Sequence, residues 1–227
     1  NRVDGIKAGM DLEMPATNGD TDKEIVAAVT NGTLSMESLD LCAQRVTELI
    51  LRSQEEKSTP KNCDKDHNAL AREIASKSAV LLKNDNAVLP ICPTAKIAVI
   101  GEMAKNPRYQ GAGSSRINPA FLDNAFDALK DAGVAATYAA GYTLGNNQVN
   151  QTLIEEACNL AKSSEVVLLF AGLPEEYESE GFDRTTLLMP ESHNRLIEAV
   201  AKVNPNTIVV LQLGAPVLMP WKHLVKG

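Results

Sequence analysis

Apolar positions in the first 53 residues recur mostly at helical spacing. Ile25, Val26 and Val29 form one stripe, which Gly32 closes. Thr21-Asp22-Lys23-Glu24 opens it as a capping box: the Thr21 hydroxyl can accept the Glu24 amide N–H, and Glu24 can reach back. Met36, Leu39, Cys42, Val46, Leu49 and Ile50 form a second stripe, capped by Ser35 and running to Arg52. Ahead of both, Gly9-Met10-Asp11-Leu12-Glu13-Met14-Pro15 is too short for a helix and is closed by proline, so it reads as a strand or strand end. Residues 54–65 are polar, hold Pro60 and have no apolar period, which predicts an exposed linker and a domain boundary. Beyond it, Asp66 can cap a helix in which Leu70, Ile74 and Leu81 share a face.

From there the period alternates. Ile97-Ala98-Val99-Ile100 is a short buried strand, and Leu122, Ala125, Phe126 and Leu129 make a helix face ended by Gly133. Residues 134–139 read as a strand, and Leu153, Ala157 and Leu160 as a helix. Val166-Val167-Leu168-Leu169-Phe170 is continuously apolar, as expected of a strand buried on both faces. Pro190 suits the first turn of a helix bearing Leu196, Ile197 and Val200, and residues 207–213 are the last strand. Such alternation predicts an open α/β fold with a mostly parallel sheet.

The 44% apolar content of the 227 residues is enough for a real core. A formal net charge of −7 argues against nucleic acid or an anionic membrane as partner, since both need a basic face. Cys42, Cys63, Cys92 and Cys158 make no CxxC pair, so neither a zinc site nor a disulfide framework is expected. Cys42 and Cys158 fall on apolar helix faces, as small buried hydrophobes do. A reducing, cytoplasmic compartment fits these thiols. No signal peptide or membrane-length apolar run occurs, although the abrupt start at Asn1 leads us to expect that a true N-terminus is missing.

Ligands in open α/β sheets collect at the carboxyl ends of strands. Three loops leave such ends: residues 101–118, residues 172–189, and Gly214-Ala215-Pro216-Val217 before Trp221. The glycines of the first loop fit neither a dinucleotide fingerprint, whose third glycine would replace Arg116, nor a P-loop. The second loop sets Glu175, Glu176, Glu178, Glu180 and Asp183 within nine residues. A carboxylic acid there could protonate a leaving oxygen if burial or a second carboxylate held its proton; the plainer reading is a solvated acidic loop. His67 falls in the first turn of a helix, His193 on a helix surface and His223 near the chain end, and no Gly-x-Ser-x-Gly elbow occurs.

Ala8-Gly9-Met10-Asp11-Leu12-Glu13-Met14-Pro15 resembles a signature of family 3 glycoside hydrolases. His67-x-x-Leu70-Ala71-Arg72-Glu73 through Val80-Leu81-Leu82-Lys83-Asn84 and Leu89-Pro90 resembles the start of that family's second domain. Ile97-Ala98-Val99-Ile100-Gly101 with Gln110-Gly111-Ala112-Gly113-Ser114-Ser115 is similar to its first sandwich strand and glycine loop, with Ala112 at the usual middle glycine. Glu178-Ser179-Glu180-Gly181-Phe182-Asp183-Arg184 resembles the loop bearing the acid/base glutamate, and Gly214-x-Pro216-Val217-x-Met219-Pro220-Trp221 closes the match.

The resemblance implies the C-terminal remnant of a (β/α)8-type barrel in residues 1–53, a linker at 54–65, and an α/β sandwich, truncated, in residues 66–227. It implies a retaining β-glycosidase, of β-glucosidase type, acting on β-glucosides or oligosaccharides by double displacement without a cofactor or metal. Glu180 is the best match for the acid/base, with Glu178 its rival. The family's nucleophile, an Asp in a Ser/Thr-Asp-Trp motif, has no counterpart, because neither Asp4 nor Asp11 precedes Trp. The chain alone is therefore expected to be inactive, with the missing barrel segment supplied as another chain, or else to be a structural fragment. Two other readings are a non-catalytic carbohydrate-binding or interaction module built on the sandwich, and a nucleotide-binding α/β domain.

Overall fold

The computed structural model describes residues 1–55, 64–111, 113–181 and 183–227, in two compact units, Asn1–Lys65 and Asp66–Gly227. Cys63 and most of the 54–65 stretch lie outside the described residues, as do Ala112 and Phe182.

The first unit is helical. Helix α1 (Arg2–Lys7) starts on Asn1, whose side chain accepts the Val3 and Asp4 amides, and the sequence pattern gave no sign of it. Helices α2 (Asp22–Thr30) and α3 (Met36–Glu55) follow the two stripes, with α3 continuing past Arg52. Gly32 ends α2 at φ +78°, and Ser35 Oγ accepts the Ser38 amide as expected. The Thr21 capping box does not form. Thr21 has φ −101° and ψ 0°, outside the extended region an N-cap uses, and its hydroxyl bonds Thr17 instead. Residues 9–15 are not a strand, because no second strand stands beside them among the described residues of this unit. Arg2 ties this segment to α2 by ion pairs with Glu13 and Asp22. Apolar side chains stand uncovered in the unit, among them Leu12, Met14, Val26, Leu49 and Ile50.

In the second unit α4 (Asp64–Ser78) ends before Leu81, so Leu81 does not share its face; Leu70 and Ile74 are also exposed. Four parallel strands follow: β1 (Ile97–Ile100), β2 (Ala136–Ala139), β3 (Val166–Gly172) and β4 (Thr207–Gln212). Their order is β2-β1-β3-β4, an open α/β sheet as the alternation predicted. The central strands β1 and β3 are nearly sealed from water, the edge strands only partly. Helix α6 (Gln151–Lys162) packs on β1 and β2, helix α7 (Glu191–Val203) packs on β3 and β4, and the two helices touch. Helix α5 (Ala125–Asp131) packs on β2. With right-handed crossovers the reversal of winding puts α5 on the opposite face. Ile154, Ala157, Leu196, Ile197 and Val200 fill the interface with β1 and β3. Each fully buried aliphatic side chain there contributes about 1.5–3 kcal/mol.

His193 is not on the helix surface. It is buried in α7, with its ring centroid 3.9 Å from that of Tyr142 and Nδ1 3.1 Å from the Gly172 carbonyl oxygen. Burial lowers its pKa to about 4, against the opposing pull of the Gly172 carbonyl. The folded protein therefore holds the ring neutral at pH values where the unfolded chain, with a pKa near 6.5, takes up a proton. Stability contributed here is present above pH 6.5 and is lost as pH falls toward 4. Replacing His193 by Gln should flatten the pH dependence of urea unfolding in that window by up to about 1.4 kcal/mol per pH unit. An unchanged slope would mean that the ring protonates without unfolding.

Candidate active site

The chain winds outward from β1 to β2, then returns across β1 to build β3 and β4 on its other side. Loops leaving β1 and β3 therefore diverge, and a crevice opens at the carboxyl ends of these two strands. Gly101 makes the exit from β1 possible. Its φ is +109°, and a Cβ there would stand 2.0 Å from the Phe170 carbonyl oxygen of β3. Tyr142 fastens the same end: its hydroxyl accepts the Met103 amide at 3.1 Å and donates to Phe170 O at 3.0 Å. Burial is the main cause of a strongly raised Tyr142 pKa, so the phenol remains neutral and able to donate.

Three loops meet over this crevice. The Gln212 side chain, last on β4, accepts the Arg108 amide at 3.0 Å and donates to Met103 O at 3.3 Å. Arg108 then reaches into the acidic loop. Its Nη1 donates to Leu173 O at 3.1 Å and pairs with the Glu178 carboxylate, and its Nη2 donates to Glu178 O at 2.7 Å. Glu178 Oε2 also accepts the Gly214 amide at 3.0 Å, from the loop after β4. Further along, Arg184 Nη1 donates to Pro216 O at 3.2 Å. All three predicted loops are thus brought together.

Glu178 and Glu180 have different surroundings. The Glu178 side chain is 15% exposed and bound on both sides. Glu180 is exposed, and its Oε2 accepts the Ser114 backbone N–H at 2.7 Å. Among the described residues no partner meets Oε1. Gly113 makes this seat available: at φ +70°, its absent Cβ would lie 2.2 Å from Glu180 Oε2. Gln110 closes the glycine loop by accepting the Ile117 amide and donating to Ile117 O. A carboxyl held by one oxygen and open at the other can exchange a proton with a group arriving from solvent. Glu175 and Glu176 are exposed.

The sequence model of the Glycosyl hydrolase family 3 C-terminal domain matches residues 79–227. The chain belongs to glycoside hydrolase family 3. This family 3 chain is 50% identical over 231 residues to thermostable beta-glucosidase B of Acetivibrio thermocellus, and 42% identical over 239 residues to an exo-alpha-(1->6)-L-arabinopyranosidase of Bifidobacterium longum. Both alignments take in all of the chain and 31% of the relative, so the chain spans about a third of their length. Its fold superposes on the crystal structure of a Bifidobacterium adolescentis GH3 beta-glucosidase with a TM-score of 0.83 and 42% identity, covering all of this chain and 33% of that one. The α/β unit is the family's sandwich domain.

Arg108 and Gln212, which gather the loops, carried no role in the sequence reading. Gln212 did leave a signal, as a polar residue at the end of an apolar strand. Among the described residues no group of His, Cys, Asp or Glu is arranged to hold a metal ion, and no helix is long and apolar enough to cross a membrane.

The contrast between the two glutamates has a measurable consequence. Glu178→Ala strands the mostly buried Arg108 charge and should cost about 2–3 kcal/mol in urea unfolding. Glu180→Ala removes an exposed group and should stay within about 0.5 kcal/mol. The reverse order would mean that Glu178 is not the structural partner of Arg108.

Proposed function

We propose that this chain supplies the acid/base half of a retaining β-glycosidase, with Glu180 as the acid/base and a β-glucoside or oligosaccharide as substrate. One observation carries the reading. Glu180 of the Ser-Glu-Gly step is exposed on the loop that follows β3, with one carboxyl oxygen seated on the Ser114 N–H of the loop that follows β1 and the other without a partner among the described residues. Through that second oxygen Glu180 protonates the departing glycosidic oxygen. Having lost its proton, the same carboxylate then takes one from the water that hydrolyses the glycosyl-enzyme. The nucleophile is a second carboxylate, about 5–5.5 Å away in such a pair, and it lies on sequence outside these residues.

On this reading residues 1–53 are the closing segment of the barrel domain, joined by 54–65 to the sandwich. Their uncovered apolar side chains support that assignment, because Leu12, Met14 and Val26 stay exposed among the described residues. The remaining barrel belongs to the same longer polypeptide or to a second chain. Glucose is the favoured sugar, since two of the three named relatives are beta-glucosidases, though the arabinopyranosidase at 42% identity makes aryl α-L-arabinopyranoside the control substrate.

Two measurements test this. In the full-length enzyme, Glu180→Ala should lower turnover of an aryl β-glucoside with a good leaving group by about 10²–10⁴-fold, and azide should restore it with a β-glucosyl azide as product. The same rescue at Glu178→Ala instead would move the role to Glu178, and normal activity in both variants would reduce the acidic loop to a solvated surface. The 227-residue chain by itself should release no aglycone from the same substrate, because one carboxylate cannot serve as both nucleophile and acid. Turnover by the isolated chain would contradict the division of the site.

A further inference from the structure

Among its described residues the acidic loop has no helix or strand between the end of β3 and the start of α7, so a few cross-links must fix the position of Glu180. The Arg108 guanidinium makes three of them. It holds the start of the loop at Leu173 O, its middle at Glu178 O and the Glu178 carboxylate, which is itself tied to the Gly214 amide. The Arg108 backbone is anchored in turn to the Gln212 side chain. Only Ser179 separates this clamp from Glu180.

The clamp is not arranged for stability alone. Arg108 is 19% exposed, and its Nε is buried with no hydrogen-bond partner among the described residues. A buried donor left unpaired is costly, and an apolar side chain would fill the space without that cost. What the guanidinium supplies instead is direction, since its planar fork fixes carbonyl and carboxylate acceptors at set angles.

We propose that Arg108 is a positioning residue for the glycosidase reaction: it acts through Glu178 to hold Glu180 on the Ser114 N–H, in register to protonate the leaving oxygen. This rests on the acid/base reading of Glu180. A residue that works only through the acid must matter when the leaving group needs protonation and must not matter when it leaves unaided. A residue that merely stabilises the fold has no such selectivity.

The test uses kcat/KM of the full-length enzyme for a methyl or phenyl β-glucoside and for 2,4-dinitrophenyl β-glucoside, with Glu180→Ala measured alongside. Arg108→Met should lose about 30- to 100-fold on the poor leaving group and less than about 3-fold on the dinitrophenolate. Combined with Glu180→Ala, it should cause no further loss on the poor leaving group. Arg108→Lys, a point charge without the fork, should recover only part of the activity. Equal losses on both leaving groups, or a loss that multiplies with that of Glu180→Ala, would make Arg108 a structural residue and overturn the proposal. If Arg108→Met does not fold, Glu178→Gln decides by the same comparison, because it keeps an acceptor for the Gly214 amide while weakening the tie to Arg108. If Glu180→Ala itself shows no leaving-group selectivity, the acid/base reading falls first and the positioning role with it.

Discussion

The parallel pairing of β1 with β3 is the constraint on which the sandwich unit depends. Ile97 stands against Val166 and Ile100 against Leu169. Because strands consecutive in space here are not consecutive in sequence, the chain must leave β1, build β2 on one side and return to the other. Sheets wound this way cannot fill the space above their central pair with a connection, since both connections lead away from it. The crevice is thus a product of strand order, and side chains only furnish it.

Furnishing the crevice takes an unusual density of backbone contacts. Gly101 lets one strand end pass another at a distance that excludes any Cβ, and Tyr142 bonds both ends at once. Over this floor the three loops are joined by side chain to backbone bonds from Gln212, Arg108, Glu178 and Arg184. Loops without secondary structure satisfy buried polar backbone in this way, and they become rigid in the process.

The sandwich was legible in the sequence because its strands announce themselves. A run such as Val166 to Phe170, apolar on both faces, has few other uses in a chain of this composition. The burial of His193 is contained in its period: it lies three, four and seven residues before Leu196, Ile197 and Val200, on the buried stripe. The apolar period runs on to Leu81 although the helix stops at Ser78, and residues 9–15 have a strand's pattern but no neighbouring strand among the described residues. Such differences follow from patterns that describe one element at a time, whereas a strand exists only in a pair. In the crevice, Glu180 and Glu178 were found through the family motif, while the bonds that set them apart join residues as distant in sequence as Arg108 and Glu178 and leave no local pattern.

One of those bonds comes from the main chain. Glu180 is seated by the backbone amide of residue 114 and not by its hydroxyl, and any residue except proline offers the same donor. Substitutions at 114 can drift without disturbing the carboxyl. The seat is guarded instead one position earlier, where a side chain of any size would occupy the place of the carboxylate. A geometry held in this way is inherited through the path of the backbone, and comparing side chains position by position would pass over it.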